Sequence, residues 1–195
     1  MSRTEQKQLT RQRILDAAGR GFRKGGFGGI GVDGLAKEAG VTSGAFYVHF
    51  DSKAAAFREA VEQGMAELKN GVRYLQATHG RTWWVEFVRF YLGAKRTCEL
   101  PQSCALQSLS PELARSDASS RTVFEANLIE LAHLIAEGPE ADDAPRDVPA
   151  ALVALSALVG AVTLARAVVD PAAAEQIASA KEKMMLPATC TKGKK

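Results

Sequence analysis

Between residues 57 and 75, six apolar side chains recur at intervals of three and four: Phe57, Val61, Met65, Leu68, Val72 and Leu75. That spacing follows one face of an α-helix and neither face of a strand. It predicts a long amphipathic helix, opening at Asp51 or Ser52, whose apolar stripe must be laid against other elements. No stretch alternates with period two over strand length, so the expected fold is all-α.

The remaining helices follow from the same periodicity. Ile14, Ala18 and Phe22 recur four apart, with Thr10 as a candidate N-cap and "KGGFGG" as the stop. Val32, Leu35, Ala36 and Ala39 form a short second stripe closed by Gly40, and a third helix covers roughly Thr42 to His49. A segment from Thr82 to about Arg96 carries Trp83, Phe87, Phe90 and Tyr91. Further helices are expected at 103–114, 119–137, 148–169 and 171–186, with the polar loop "GPEADDAPRD" before the last two and Pro171 at a helix start.

The chain has 195 residues and is 46% hydrophobic, enough for a core in one domain or a small domain joined to a larger one. The charged start "MSRTEQKQLTRQRI" lacks the apolar run of a secretory signal, and three cysteines make no disulfide framework, so a reducing cytoplasm is expected. Charge is uneven. Residues 1–58 hold ten Lys/Arg against five Asp/Glu, and residues 59–195 hold fifteen against seventeen. A basic front suits a polyanion, and equally suits an ordinary solvated face.

Residues 32–47 have the layout of a helix-turn-helix: short helix, turn opening at Gly40, second helix. Gly40 suits a left-handed cap, Val41 plugs the turn, Thr42 can cap, and Phe46 and Phe50 can face inward together. Ser43, Gly44, Tyr47 and His49 are then left facing outward. Small residues at a helix start let phosphates approach its N–H groups, and Tyr and His can donate to phosphates or bases. A helical hairpin inside a core fits the same pattern.

"RQRILDAAGRGFRKGGF", "VDGLAKEAGVTSGAFYVHFDSKAAAF" and above all "AGVTSGAFYVHFDSK" resemble the N-terminal domain of the tetracycline-repressor (TetR) family of bacterial transcription regulators, over about Arg11 to Phe57. The resemblance implies a three-helix DNA-binding domain (1–52), a larger helical ligand-binding and dimerisation domain (53–187) and, by composition, a disordered basic tail (188–195). It implies a homodimer, most often a repressor, on a double-stranded DNA operator, with an apolar or aromatic small-molecule effector. Carried over residue by residue, DNA contacts fall to Thr42, Ser43, Gly44, Tyr47 and His49, with Lys53 on a phosphate. Two positions depart from the family pattern. Gly31 replaces the usual Thr or Ser cap of the second helix, and Ser43 stands where a basic or bulkier residue is common.

Three other features bear on function. "GFGGIG" matches a dinucleotide-binding fingerprint, but the preceding segment reads as a helix where that motif needs a strand. Residues 148–165 are eighteen uncharged residues, read as a buried dimerisation helix with Leu155, Leu158, Val162 and Ala165 on its seam, not as a membrane span. A helix buried inside the monomer is the alternative. Trp83, Phe87, Phe90 and Tyr91, with Cys104, Phe124, Leu128 and Leu131, line either an effector pocket or plain core.

"CALQSLSPELARSD" resembles a subset of the family that senses electrophiles or oxidants through its first cysteine, which gives Cys104 a second possible role beside that of a buried apolar thiol. Lys95 and Arg96 lie near Cys98 in sequence, and nothing basic lies locally near Cys104. No metal site, cofactor or catalytic constellation is expected, and an enzyme is the remote alternative.

Overall fold

A computed structural model describes residues 2–186. The described residues hold ten α-helices, two single-turn 3-10 helices (Gly80–Thr82 and Leu100–Gln102) and no strand; the α-helices are α1 (Arg3–Gly25), α2 (Val32–Ala39), α3 (Ser43–His49), α4 (Lys53–Thr78), α5 (Trp83–Leu92), α6 (Ala94–Thr97), α7 (Ala105–Leu113), α8 (Ala118–Ala136), α9 (Val148–Ala167) and α10 (Pro171–Met185). The expected tail at 188–195 lies outside the described residues.

The helices group into two compact units. One comprises residues 2–66 and 99–127, the other 67–98 and 128–186, so α4 and α8 contribute to both. The first unit therefore takes in more chain than residues 1–52, because α7 and the start of α8 join the three N-terminal helices.

In the first unit, α1 begins at Arg3 rather than near Thr10. The Ser2 hydroxyl accepts from the Glu5 amide at 3.2 Å, and the Glu5 carboxylate accepts from the Ser2 amide at 2.6 Å. This reciprocal box satisfies two amides that a helix start leaves without partners. Thr10 sits inside the helix, its hydroxyl donating to the Gln6 carbonyl at 2.9 Å. The helix ends where Gly26 takes φ +70°, a conformation that side-chain-bearing residues avoid. "GFGGIG" thus follows a helix, and the strand that a dinucleotide site requires is missing. Ile14, Ala18, Phe22, Leu35, Phe46, Phe50 and Phe57 are fully buried and form the core of this unit.

In the second unit the α5 aromatics are buried, with one exception. Trp83, Trp84, Phe87 and Tyr91 are at most 1% exposed, whereas Phe90 is 45% exposed. The buried arc centres on Trp84 and Tyr91, and Phe90 lies about 100° round the helix from Tyr91. The α4 stripe also differs from expectation. Leu68 is only half-buried, while Lys69 is 7% exposed and ion-paired with Glu130 of α8.

The helix α9 is, among the described residues, the one long and apolar enough to cross a membrane. Its Leu155, Leu158, Val162 and Ala165 are at most 5% exposed within the single chain. Those side chains belong to the chain's own core, which corrects their expected place on a seam with a partner. The outward face of α9 carries Val153 and Leu164 instead, 68% and 61% exposed.

Candidate nucleic-acid interface

The turn between α2 and α3 is built by a glycine and an arginine. Gly40 adopts φ 68°, ψ 38°, and its amide donates to the carbonyls of Ala36 and Lys37. The Arg13 guanidinium of α1 donates to the Ala39 carbonyl at 2.7 Å. A Cβ on Gly40 would stand 2.7 Å from the same guanidinium nitrogen. The position therefore calls for glycine by its backbone angle, and a side chain there would push the guanidinium away from the Ala39 carbonyl.

Thr42 caps α3, its hydroxyl accepting from the Ala45 amide at 3.1 Å. Phe46 and Phe50 then point inward, 0% and 2% exposed, with their ring centroids 5.6 Å apart. The opposite face is open: Tyr47 is 57% exposed and Val48 67%, with Thr42 and Gly44 exposed beside them. Val48 was absent from the sequence-derived set, although it lies one turn after Gly44 and shares its face. Ser43 donates its hydroxyl to Asp33 in the first turn of α2, so its orientation is set by a neighbouring helix. Gly31 starts α2 with no side-chain cap, as expected of a residue without a hydroxyl.

His49 is half-buried at the end of α3, with a buried Nδ1 that has no hydrogen-bond partner. Desolvation, then the positive charges of Lys7 and Arg11, hold its pKa below the ordinary histidine range. Arg11 stacks over Phe50 at 4.7 Å and pairs with Glu59, which joins α1 to α4. Lys53 opens α4, and its ammonium lies 4.4 Å from the centre of the Phe27 ring. The face thus combines cations from α1 and α4 with the exposed polar and aromatic surface of α3. Cations suit a phosphate backbone, and side chains on a protruding helix suit base edges.

The residues named for an effector pocket divide between the units. Trp83, Phe87, Phe90, Tyr91 and Leu128 belong to the second unit, Cys104 and Phe124 to the first. Cys104 is 7% exposed at the start of α7, poor access for a reactive thiol. Cys98 is half-buried, and its sulfur lies 3.4 Å from an Arg166 guanidinium nitrogen of α9, a basic neighbour remote in sequence.

Along α9 and α10 an apolar groove opens outward, lined by Ala157, Gly160, Leu164, Ile177 and Met184, with Lys181 at its edge. Sequence patterning missed this face because α9 is apolar all round and offers no polar side to mark its exterior.

Residues 14–60 match the family model described as "Bacterial regulatory proteins, tetR family". Over 58 residues the chain is 45% identical to the HTH-type transcriptional regulator AcrR of Shigella flexneri, a match spanning 30% of this chain and 27% of that protein. The fold resembles the reduced form of NemR from E. coli (TM-score 0.75, 18% identity, 91% of this chain and 95% of that one). It also resembles a TetR-family regulator from Cytophaga hutchinsonii (TM-score 0.74, 16% identity, 95% and 96% covered).

Proposed function

We propose, on the match of residues 14–60 to the family model of bacterial tetR regulatory proteins, that the chain is a homodimeric repressor of that family, released from a palindromic operator by a small molecule. The observation that carries the reading is α3 itself. One face is locked into the core by Phe46 and Phe50, and the other presents Tyr47 and Val48 to solvent on a helix whose start carries only small or short side chains. A helix seated in this way can enter a major groove, with Tyr47 and Ser43 on base edges and Thr42, Gly44, His49 and Lys53 on phosphates.

The groove on α9 and α10 supports the dimer. A second copy burying Val153, Leu164 and Met184 would remove the largest apolar side chains from water on that face. Two-fold symmetry then demands half-sites about one helical turn, or a multiple, apart. Effector binding to the helical body would favour a spacing of the two reading heads that mismatches the operator. The helix α4, which starts at Lys53, is the proposed lever. A coupling of about 1–3 kcal/mol is enough.

The test is selection of duplexes from a random library by the wild-type protein, followed by binding at fixed salt. A recovered palindrome, and a loss of about tenfold or more for Tyr47→Ala, support the reading. Recovery of no preferred sequence refutes it. Sedimentation of the free protein as a monomer at micromolar concentration removes the dimer.

A further inference from the structure

The loop joining α1 to α2 is an unlikely place for a precise contact. Four of its six residues from 26 to 31 are glycine, and glycine loses the most freedom on ordering. Yet Phe27, within it, supports the ammonium of Lys53. Two anchors hold Phe27. Its ring lies edge-on to Phe57 at 5.2 Å and stacks against Phe22 at 6.0 Å. Its amide donates to the Glu112 carboxylate of α7 at 3.1 Å. That carboxylate also covers Gly26, where a Cβ would stand 3.1 Å from the carboxyl carbon. Arg115 donates to its second oxygen at 2.8 Å. A charged acceptor makes a shorter and stronger bond than a neutral one, so Glu112 is the polar restraint on an otherwise slack loop.

We propose that Glu112 is a positioning residue for the DNA contact of Lys53, acting through the amide and ring of Phe27. The proposal rests on the reading of Lys53 as a phosphate contact. It gives α7, some sixty residues further along the chain, a direct hold on the DNA-facing surface within a single unit. A lysine stem has four rotatable bonds, and an ammonium held against a ring face searches less space before meeting a phosphate. The sign of the effect separates this role from plain charge. A carboxylate near a DNA-binding surface repels phosphates, so its removal by itself tightens binding. Loss of a positioning residue weakens it.

The experiment uses the full chain and the duplex recovered by selection with the wild type. Affinity is measured against salt for wild type, Glu112→Ala, Glu112→Gln, Phe27→Leu and Lys53→Ala, and for Glu112→Ala combined with Lys53→Ala. Thermal melts monitor folding throughout. Lys53→Ala is expected to lower the salt slope by about one. Glu112→Ala and Phe27→Leu are expected to weaken binding several-fold and lower the slope in the same way. Glu112→Gln, which keeps an acceptor carbonyl for the Phe27 amide, is expected to restore most of it. The double variant should bind like Lys53→Ala alone, because a residue acting through Lys53 has nothing left to position. Tighter binding by Glu112→Ala, an unchanged slope, or losses that add in the double variant each overturn the proposal and leave DNA binding itself intact. Failure to recover any duplex removes the parent reading instead.

Discussion

Alanine at Gly64 should destabilise this protein, against the usual preference of helices. In an exposed helix interior, replacing glycine by alanine stabilises by about 1 kcal/mol. At Gly64, in the middle of α4, a Cβ would stand 2.4 Å from the Cβ of Ala105 and 2.8 Å from an Arg23 guanidinium nitrogen. The arginine end can swing aside. Ala105 has no rotamer to change, so relief requires a shift of α7 against α4. Overpacking of this kind costs about 1–3 kcal/mol, and a carbon–carbon distance so far inside van der Waals contact belongs at the upper end. Set against the propensity gain, the net loss is about 2 kcal/mol. In a chain of this size that lowers Tm by roughly 4–8 °C. Gly71 lies seven residues on in the same helix, with nothing within 4 Å of its ideal Cβ. Gly71→Ala should raise Tm by about 2–4 °C on the same arithmetic. Parallel thermal melts by circular dichroism decide the matter. Gly64→Ala melting at or above wild type refutes the reasoning, since the close approach of α4 and α7 would then carry no energetic weight.

Three further outcomes are expected. A DNA phosphate at His49 opposes the desolvation and the Lys7 and Arg11 charges that depress its pKa, so binding takes up a proton and affinity should rise as pH falls below 7. His49→Gln should flatten that profile in a fluorescence anisotropy titration. Gly160→Leu on the outward face of α9, where a Cβ meets nothing within 4 Å in the single chain, should leave the melt of the fold near wild type and shift sedimentation from dimer to monomer. Glu130 is held below the ordinary carboxylate range, first by its hydrogen bond from Lys69. Its stabilisation is complete above the unfolded glutamate value and is lost as pH falls through the lowered one, so Glu130→Gln should flatten the acid limb of a stability-versus-pH curve.

The helix-turn-helix of α2 and α3 was legible because its signals are local. Gly40, Thr42 and the four-residue spacing of Phe46 and Phe50 each act within a turn of themselves, and each does in the structure what its chemistry suggests. The start of α1 was misplaced because Thr10 resembles a cap, while Ser2 and Glu5 form a better one eight residues earlier. What remained hidden depends on partners distant in sequence. Lys69 reads as a surface residue until Glu130 meets it, and Cys98 shows only the local Lys95 and Arg96 until α9 brings Arg166 against its sulfur. The α9 helix hid its orientation for a different reason. With apolar residues on every side, periodicity carries no direction, and only the packing of Leu155, Leu158 and Val162 reveals which side is out.

The α3 helix has seven residues, fewer than an isolated peptide needs to stay helical in water. Its helicity is borrowed from Phe46 beneath it and from the turn that Arg13 ties down at Ala39. Such a helix has no loosened yet still helical form to fall back on. Its amides should exchange with solvent only through the cooperative opening that also releases α1 and α2. Under the proposed function, search along DNA would then proceed with a head that is either whole or absent, and an effector would act on where that head is carried rather than on its shape.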